Sequence, residues 1–400
     1  MHVVVLGAGV IGVTTAYYLS ELGHSVTVVD SAQELASGAS GGNGGQLSYS
    51  FSDAMASPAL LSKMPGIIAG LNPAFHMRPP VTPELIRWGL AFLSQCTKRK
   101  HRQNTITILQ LALRSGELMK ELQSRISLDF SYRRAGKLVM LDGPSAVAEA
   151  EEICALKRPY GCDARVVPFE RAVEIEPALQ QMHKDYAGAV YSERDEVGNS
   201  QSFTAGLGDW LIANRDTEFQ LDTTVRKILA SGGKLAAVET DKGTLRPDAL
   251  VVCLGAWSDR LLHPLGIKTN IYPMRGYSVT LPSIETSNSV SITDLGSKTV
   301  FSRLGDQLRI AGFADFVGFR TGKDAERAQE LLVTARKTAP AIADFSTSTT
   351  SEWGGFRPMT PNSQPLIGPS AIKGLHLNTG HGMLGWTLAC ASGHAVASGI

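Results

Sequence analysis

The run of apolar and polar positions divides the chain into elements before any motif is considered. His2 to Leu6 is a short apolar run rich in β-branched residues, which reads as a buried strand. A glycine turn follows, then helical character over 13–22, closed by Gly23-His24. Residues 25–29 form a second strand that ends on Asp30. Residues 104–126 read as one amphipathic helix, with Ile106, Leu109, Leu113, Leu118 and Leu122 on overlapping faces. Strand-like runs are expected at 130–132 and 137–141, helices at 145–159 and 170–177, a strand at 188–191 and a helix at 199–214. Two strands, 223–229 and 235–240, flank Gly232-Gly233. The unbroken apolar run 249–254 suits the centre of a parallel sheet covered on both faces. Cys253 sits inside that run and reads as core rather than as a nucleophile. A strand at 277–281 and a helix at 387–397 complete the pattern, and the chain is expected to continue beyond Ile400.

The glycines of the first turn change the picture. Gly7-Ala8-Gly9-Val10-Ile11-Gly12 is G-x-G-x-x-G between a strand and a helix, and Asp30 follows on the next strand. That is the dinucleotide-binding arrangement: tight turn, backbone approach to a pyrophosphate, helix packed on strand, and a carboxylate for a ribose hydroxyl. The first twenty residues carry no Asp, Glu, Lys or Arg. A membrane span or signal peptide is the competing reading, but the glycine spacing and the second strand oppose it. A second glycine-rich stretch, 37–50, ends in Gln46-Leu47-Ser48-Tyr49, which is not linker composition. Its backbone is expected to approach a flat ring closely.

Composition narrows the class. Four hundred residues with 43% hydrophobic content suit two domains or one large one, and a net charge of +1 gives no hint of nucleic acid. Five cysteines without C-x-x-C pairs oppose a disulfide scaffold or structural zinc and favour a reducing compartment; no metal is expected. Residues 55–105 stand apart: six prolines break the stretch into short apolar pieces, and the basic cluster Lys98-Arg99-Lys100-His101-Arg102 follows. Such pieces suit packing within the protein or contact with an anionic membrane surface.

Several motifs together resemble one family. The first glycine turn, the loop Ser40-Gly41-Gly42-Asn43-Gly44-Gly45-Gln46-Leu47-Ser48 and the strand 250–258 are similar to the flavin oxidoreductases of the D-amino acid oxidase and glycine oxidase superfamily. Residues 271–278, 355–361 and 377–386 resemble its bacterial D-amino acid dehydrogenase branch, small-subunit type. The resemblance implies an α/β fold with an α+β cap. A Rossmann-like FAD domain would take residues 1–55, 145–265 and 355–400. A substrate domain on a mostly antiparallel sheet would take 56–144 and 266–354. It implies noncovalent FAD, despite Cys390 on the last helix. The contacts would come from Gly7, Gly9, Val10, Ile11, Gly12, Asp30 and Ser31, and from Ser40, Gly42, Asn43, Gly44, Gly45, Gln46 and Leu47. Further contacts would come from Val225, Gly255, Trp257 and Gly355, and from Gly380, His381, Gly382, Met383, Leu384 and Gly385 ahead of a helix whose positive end favours charge on the flavin.

The same resemblance assigns Arg357 to the substrate carboxylate, for which a guanidinium is the natural fork. Asn362 stands where many relatives have Asp. Tyr277 could donate to the same carboxylate; Tyr49 and Arg275 are weaker candidates. The implied reaction is oxidative deamination of a D-amino acid: hydride from Cα to the flavin, then hydrolysis of the imine to a 2-oxo acid and ammonia. Electrons would pass to a quinone or other carrier, with peripheral contact through 58–102 at the inner face of a bacterial membrane. The alternatives are a glycine, sarcosine, D-proline or hydroxyproline enzyme, an NADPH-dependent flavin hydroxylase, for which no second glycine fingerprint is present, and a noncatalytic FAD-binding subunit.

Overall fold

Both faces of the strand His2–Leu6 are apolar, and this fixes its place. Val3 and Val5 face the helices Val10–Glu21, Ser200–Asn214 and Gly385–Ala397, while Val4 and Leu6 face Ile228, Val238 and Leu262 on the other side. The computed structural model describes residues 1–68, 75–77, 82–182, 185–322 and 324–400. Its six-stranded sheet has the order 366–369, 375–379, 249–252, 2–6, 25–29, 217–220. The inner pairs are parallel, and only the edge strand Leu366–Pro369 runs antiparallel. The strands Val225–Ser231, Lys234–Thr240 and Gly243–Leu245 form an antiparallel meander that packs on the second face. The charge-free N-terminus is thus a buried strand and a short helix. Among the described residues no helix is long and apolar enough to cross a membrane.

A second, larger sheet runs in the order 351–359, 272–282, 307–316, 299–304, 291–294, 137–141, 188–192, 165–168, with Phe75–Met77 added beside 307–316. It is mostly antiparallel; the exceptions are the 137–141/291–294 and 75–77/307–316 pairs. The helix Asp324–Thr338 covers part of one face through Ala328, Leu331 and Ala335.

Three sequence expectations differ from the structure. Strands Arg165–Pro168 and Gly188–Ser192 belong to the second sheet, so 145–192 does not group with the nucleotide-binding unit. Conversely, the helix Lys98–Arg125, expected within the cap, packs on Gly385–Ala397. This helix starts at Lys98, where the Thr97 side chain accepts from the Lys100 amide, so the basic cluster occupies its first turns. Residues 130–132 form no strand: Ser131 has φ 54, and Phe130 turns inward against Phe203 and Trp386. Pro58 and Pro83 open the helices Pro58–Ile68 and Pro83–Gln95, where a missing amide costs nothing. The remaining prolines of that segment include residues outside the described ones.

Candidate active site

A cavity of about 1880 Å³ lies between the two sheets. That is well above the roughly 300–1,000 Å³ of a drug-sized pocket. At one end it opens on the first strand–helix turn. A Cβ at Gly12 would stand 1.7 Å from the Gly7 carbonyl oxygen, so only glycine lets the helix sit on the turn. The Val10 amide donates to Ser40 Oγ at 3.0 Å, and a Cβ at Gly9 would meet that oxygen at 3.2 Å. Asp30 accepts from the amides of Ala8 at 2.7 Å and Ala32 at 2.9 Å. Each carboxylate oxygen keeps capacity for a further donor. A helix N-terminus beside a fixed carboxylate suits a pyrophosphate and a ribose.

The glycine-rich loop crosses the face of the second sheet strand by strand. The Gly42 carbonyl accepts from Ser278 Oγ at 2.8 Å, and the Asn43 carbonyl from Arg309 Nη1 at 2.9 Å. Gly44 lies against Ala311 and Val300, and Gly45 (φ 74) against Leu304. The Gln46 side-chain Nε2 donates to Ser291 Oγ and Thr293 Oγ1. The flat ring against Gly42 is the indole of Trp353: a Cβ at Gly42 or Gly355 would stand 2.1 or 2.0 Å from its atoms. Glycine at both places lets the indole clamp the loop to strand Ser351–Met359.

Arg357 lies on that strand and lines the cavity. Its Nη1 donates to the Phe313 carbonyl at 2.7 Å. The carbonyl is turned there by a bulge: the register slips between Arg275 and Tyr277, and Phe313 takes φ 58. The guanidinium forms no carboxylate ion pair among the described residues, and burial pushes its pKa down to about 10. Tyr277 lines the cavity as expected, but its hydroxyl donates to Asp315 Oδ2 at 2.8 Å. That proton is therefore directed away from a substrate carboxylate. Burial raises the phenol pKa, and Asp315 raises it further. Asp315 Oδ1 in turn accepts from the buried Arg327 at 2.8 Å.

Other expected residues fall off the site. Tyr49 is buried behind the lining, where its hydroxyl donates to Glu196 at 3.0 Å and its ring packs on Gly116. Arg275 is held bidentately by Asp324 at 2.8 and 2.6 Å. Val225 starts the meander and packs with the core on the far face of the sheet. Gly12, Gly45, Leu47 and Gly380 support the wall without lining it. The remaining expected cofactor residues line the cavity: Gly7, Gly9, Val10, Ile11, Asp30, Ser31, Ser40, Gly42, Asn43, Gly44, Gln46, Gly255, Trp257, Gly355, His381, Gly382, Met383, Leu384 and Gly385. His381 Nε2 is buried without a hydrogen-bond partner, and burial pushes this imidazole down to about 3, so it stays neutral. Cys390 faces Tyr18, away from the lining. Sequence reasoning missed Lys137, Trp353, Asp315 and Arg327. Only Trp353, beside Gly354-Gly355, carried a local signal of close approach.

A dinucleotide-binding turn opening into a cavity walled by a second, mostly antiparallel sheet is an arrangement that suits a nucleotide-dependent oxidoreductase. Residues 2–398 match the model of the FAD dependent oxidoreductase (DAO) family, and the chain belongs to that family. It is 37% identical to the D-amino acid dehydrogenase of Paramagnetospirillum magneticum over 99% of this chain and 94% of that one. It is 36% identical to that of Dechloromonas aromatica, over 100% and 97%. In fold it is similar to a glycine oxidase from Geobacillus kaustophilus, with TM-score 0.75 and 21% identity over 99% of this chain and 93% of that one. An L-proline dehydrogenase from P. horikoshii has TM-score 0.74 and 19% identity over 99% and 92%. The cofactor is FAD, and the helix end, Asp30 and the glycine turn are the residues that fit it.

Proposed function

We propose that this chain oxidatively deaminates D-amino acids and passes the electrons to a quinone or other carrier. The observation that carries the reading is Arg357: a half-buried guanidinium in the cavity, oriented by the Phe313 carbonyl and free of a carboxylate partner among the described residues. Such a group takes an α-carboxylate as a charge-assisted pair. The names carried by the similar dehydrogenases agree with it. FAD, when bound, supplies the hydride acceptor. Arg357 fixes the carboxylate and so aims Cα, and positioning of this kind replaces a dedicated base. Tyr277, turned to Asp315, shapes the wall. Met274, Phe313 and Phe316 supply apolar lining that excludes water.

For the acceptor, the helix Pro83–Gln95 offers a surface. Leu85, Trp88 and Phe92 are buried on Tyr272, Met274 and Met359, while Ile86, Leu90 and Leu93 are exposed on the other side. Ile86 and Leu93 also border the cavity, and exposed Lys98, Arg99, Lys100 and Arg102 follow. An apolar stripe beside cations fits an anionic membrane surface, where a lipid-soluble quinone is at hand.

The test is anaerobic. D-amino acids, L-amino acids, glycine and sarcosine are each added to the yellow holoenzyme, and D-amino acids are expected to bleach it. Bleaching by glycine or sarcosine alone moves the reading to the small-amine enzymes, and no bleaching by any amine refutes it.

A further inference from the structure

The second sheet carries a buried cation for which the deamination reading has no use. Lys137 opens the strand Lys137–Leu141, is only 3% exposed and lines the cavity. Its Nζ donates to Gln46 Oε1 at 2.8 Å and Ser48 Oγ at 2.7 Å, and lies 4.8 Å from the centre of the Phe51 ring. Both oxygens are neutral. Among the described residues it forms no ion pair with a carboxylate. The other buried ammonium on this wall, Lys157, is paired with Asp53 at 3.0 Å. Asp195 and Asp53 act on this ammonium only from beyond ion-pair distance, and a buried charge held by neutral oxygens alone is costly, so its retention points to a role.

Its position suggests which role. The Ser48 amide donates to Thr387 Oγ1 at 2.9 Å, in the first turn of the helix Gly385–Ala397. The ammonium therefore stands one residue from a helix end that is itself partially positive. Asp30 and the first glycine turn mark the adenosine end of the cavity, on the other sheet. Lys137 and Arg357 share the second sheet. Strand Lys137–Leu141 is three strand spacings, about 14 Å, from Gln307–Phe316, whose Phe313 carbonyl holds the Arg357 guanidinium. If Arg357 takes the substrate carboxylate, the redox ring would lie against the second sheet, the wall that also carries Lys137 and meets the helix end.

We propose that Lys137 is a positioning residue that holds the Gln46–Ser48 segment in place and supplies a fixed positive charge favouring reduction of the bound FAD. Reduction adds negative charge to the ring system, and a nearby cation in low dielectric stabilises it. The proposal rests on the family's cofactor and on the reading of Arg357 as the carboxylate site, and not on which amino acid side chain is preferred.

The test is the midpoint potential of the purified holoenzyme, titrated against a reference dye, with FAD affinity measured separately. Lys137→Met should make reduction at least tenfold less favourable, a fall of about 30 mV for a two-electron couple. Lys137→Arg should stay within threefold of the parent. A Met variant that holds FAD with an unchanged potential overturns the idea. If neither variant holds FAD, the parent decides. Burial lowers the Lys137 pKa to about 8, against the raising pull of Asp195 and Asp53 and the lowering push of Lys157. Above that pH, reduction should draw a proton back onto Lys137, and the plot of potential against pH should steepen. A straight plot from pH 7 to 10 overturns the proposal.

Discussion

The guanidinium of Arg357 rests on the backbone of Gly276. A Cβ built at Gly276 would stand 2.4 Å from Arg357 Cζ and Nη2. The two residues lie on neighbouring antiparallel strands, Gly276 opposite Gly355 and Arg357 opposite Met274. Gly276→Ala should therefore push the guanidinium off its seat while leaving its charge in place. KM for the preferred amino acid should rise about tenfold or more with a smaller change in kcat. Arg357→Ala removes the charge-assisted pair outright and should cost about 1.5–3 kcal/mol of transition-state binding. Steady-state kinetics on both variants checks this; parental KM in Gly276→Ala would show that the seat does not matter.

Asp315 joins two elements. It accepts from Tyr277 on one strand and from Arg327 on the helix Asp324–Thr338, with side-chain exposures of 3% and 2% for Asp315 and Arg327. Asp315→Asn takes one carboxylate from the buried Arg327, which keeps its pair with Glu330. Breaking a buried pair costs about 3–5 kcal/mol where the charge is left uncompensated, so with Glu330 in place the loss should fall below that. The melting temperature should drop clearly, and Asp315→Asn combined with Arg327→Met should recover part of the loss. Equal melting temperatures for the single variant and the parent would show that the pair contributes little.

How much of this was legible in the chain follows from what is local. The strand His2–Leu6, its glycine turn and Asp30 are set by periodicity and short-range geometry, and they stand as read. Arg357 is announced by stiff glycine and proline neighbours. The partner of Tyr277 is not, because Asp315 reaches it only through the bulge at Phe313 on another strand. Lys137 hides as the first residue of an apolar run, and its partners Gln46 and Ser48 are brought by a loop that crosses the sheet. The place of 165–192 hides for the same reason: 188–192 pairs with 137–141, and 165–168 with 188–192, across long stretches of chain. The strand expected at 130–132 came from alternating aromatics that serve a core contact instead.

His381 gives a pH prediction. Its ordinary value is 6.5, and burial lowers it to about 3 in the folded protein. Below pH 6.5 the unfolded chain binds this proton and the folded one does not. Stability should therefore fall as pH drops from about 6.5 towards 3, since the unfolded state carries more protons. His381→Gln should flatten that slope. Melting temperatures of parent and variant between pH 7 and 4 check it; parallel curves would assign the acid sensitivity to other groups.

The exposed stripe on Pro83–Gln95 predicts how the protein meets its acceptor. Ile86, Leu90 and Leu93 are 52%, 64% and 43% exposed and recur at helical spacing. Leu90 is the most exposed of the three and lies outside the cavity lining. Leu90→Glu should weaken pelleting with anionic vesicles and leave anaerobic bleaching by the amino acid unchanged. The exposed cations Lys98, Arg99, Lys100 and Arg102 should make the same binding salt-dependent, because a Debye length of about 10 Å at 0.1 M screens charges at a surface. Turnover with a lipid-soluble quinone in vesicles should fall with the binding, while turnover with a soluble dye should not. Pelleting of Leu90→Glu equal to the parent, or loss of both turnovers together, would remove this face from the electron path.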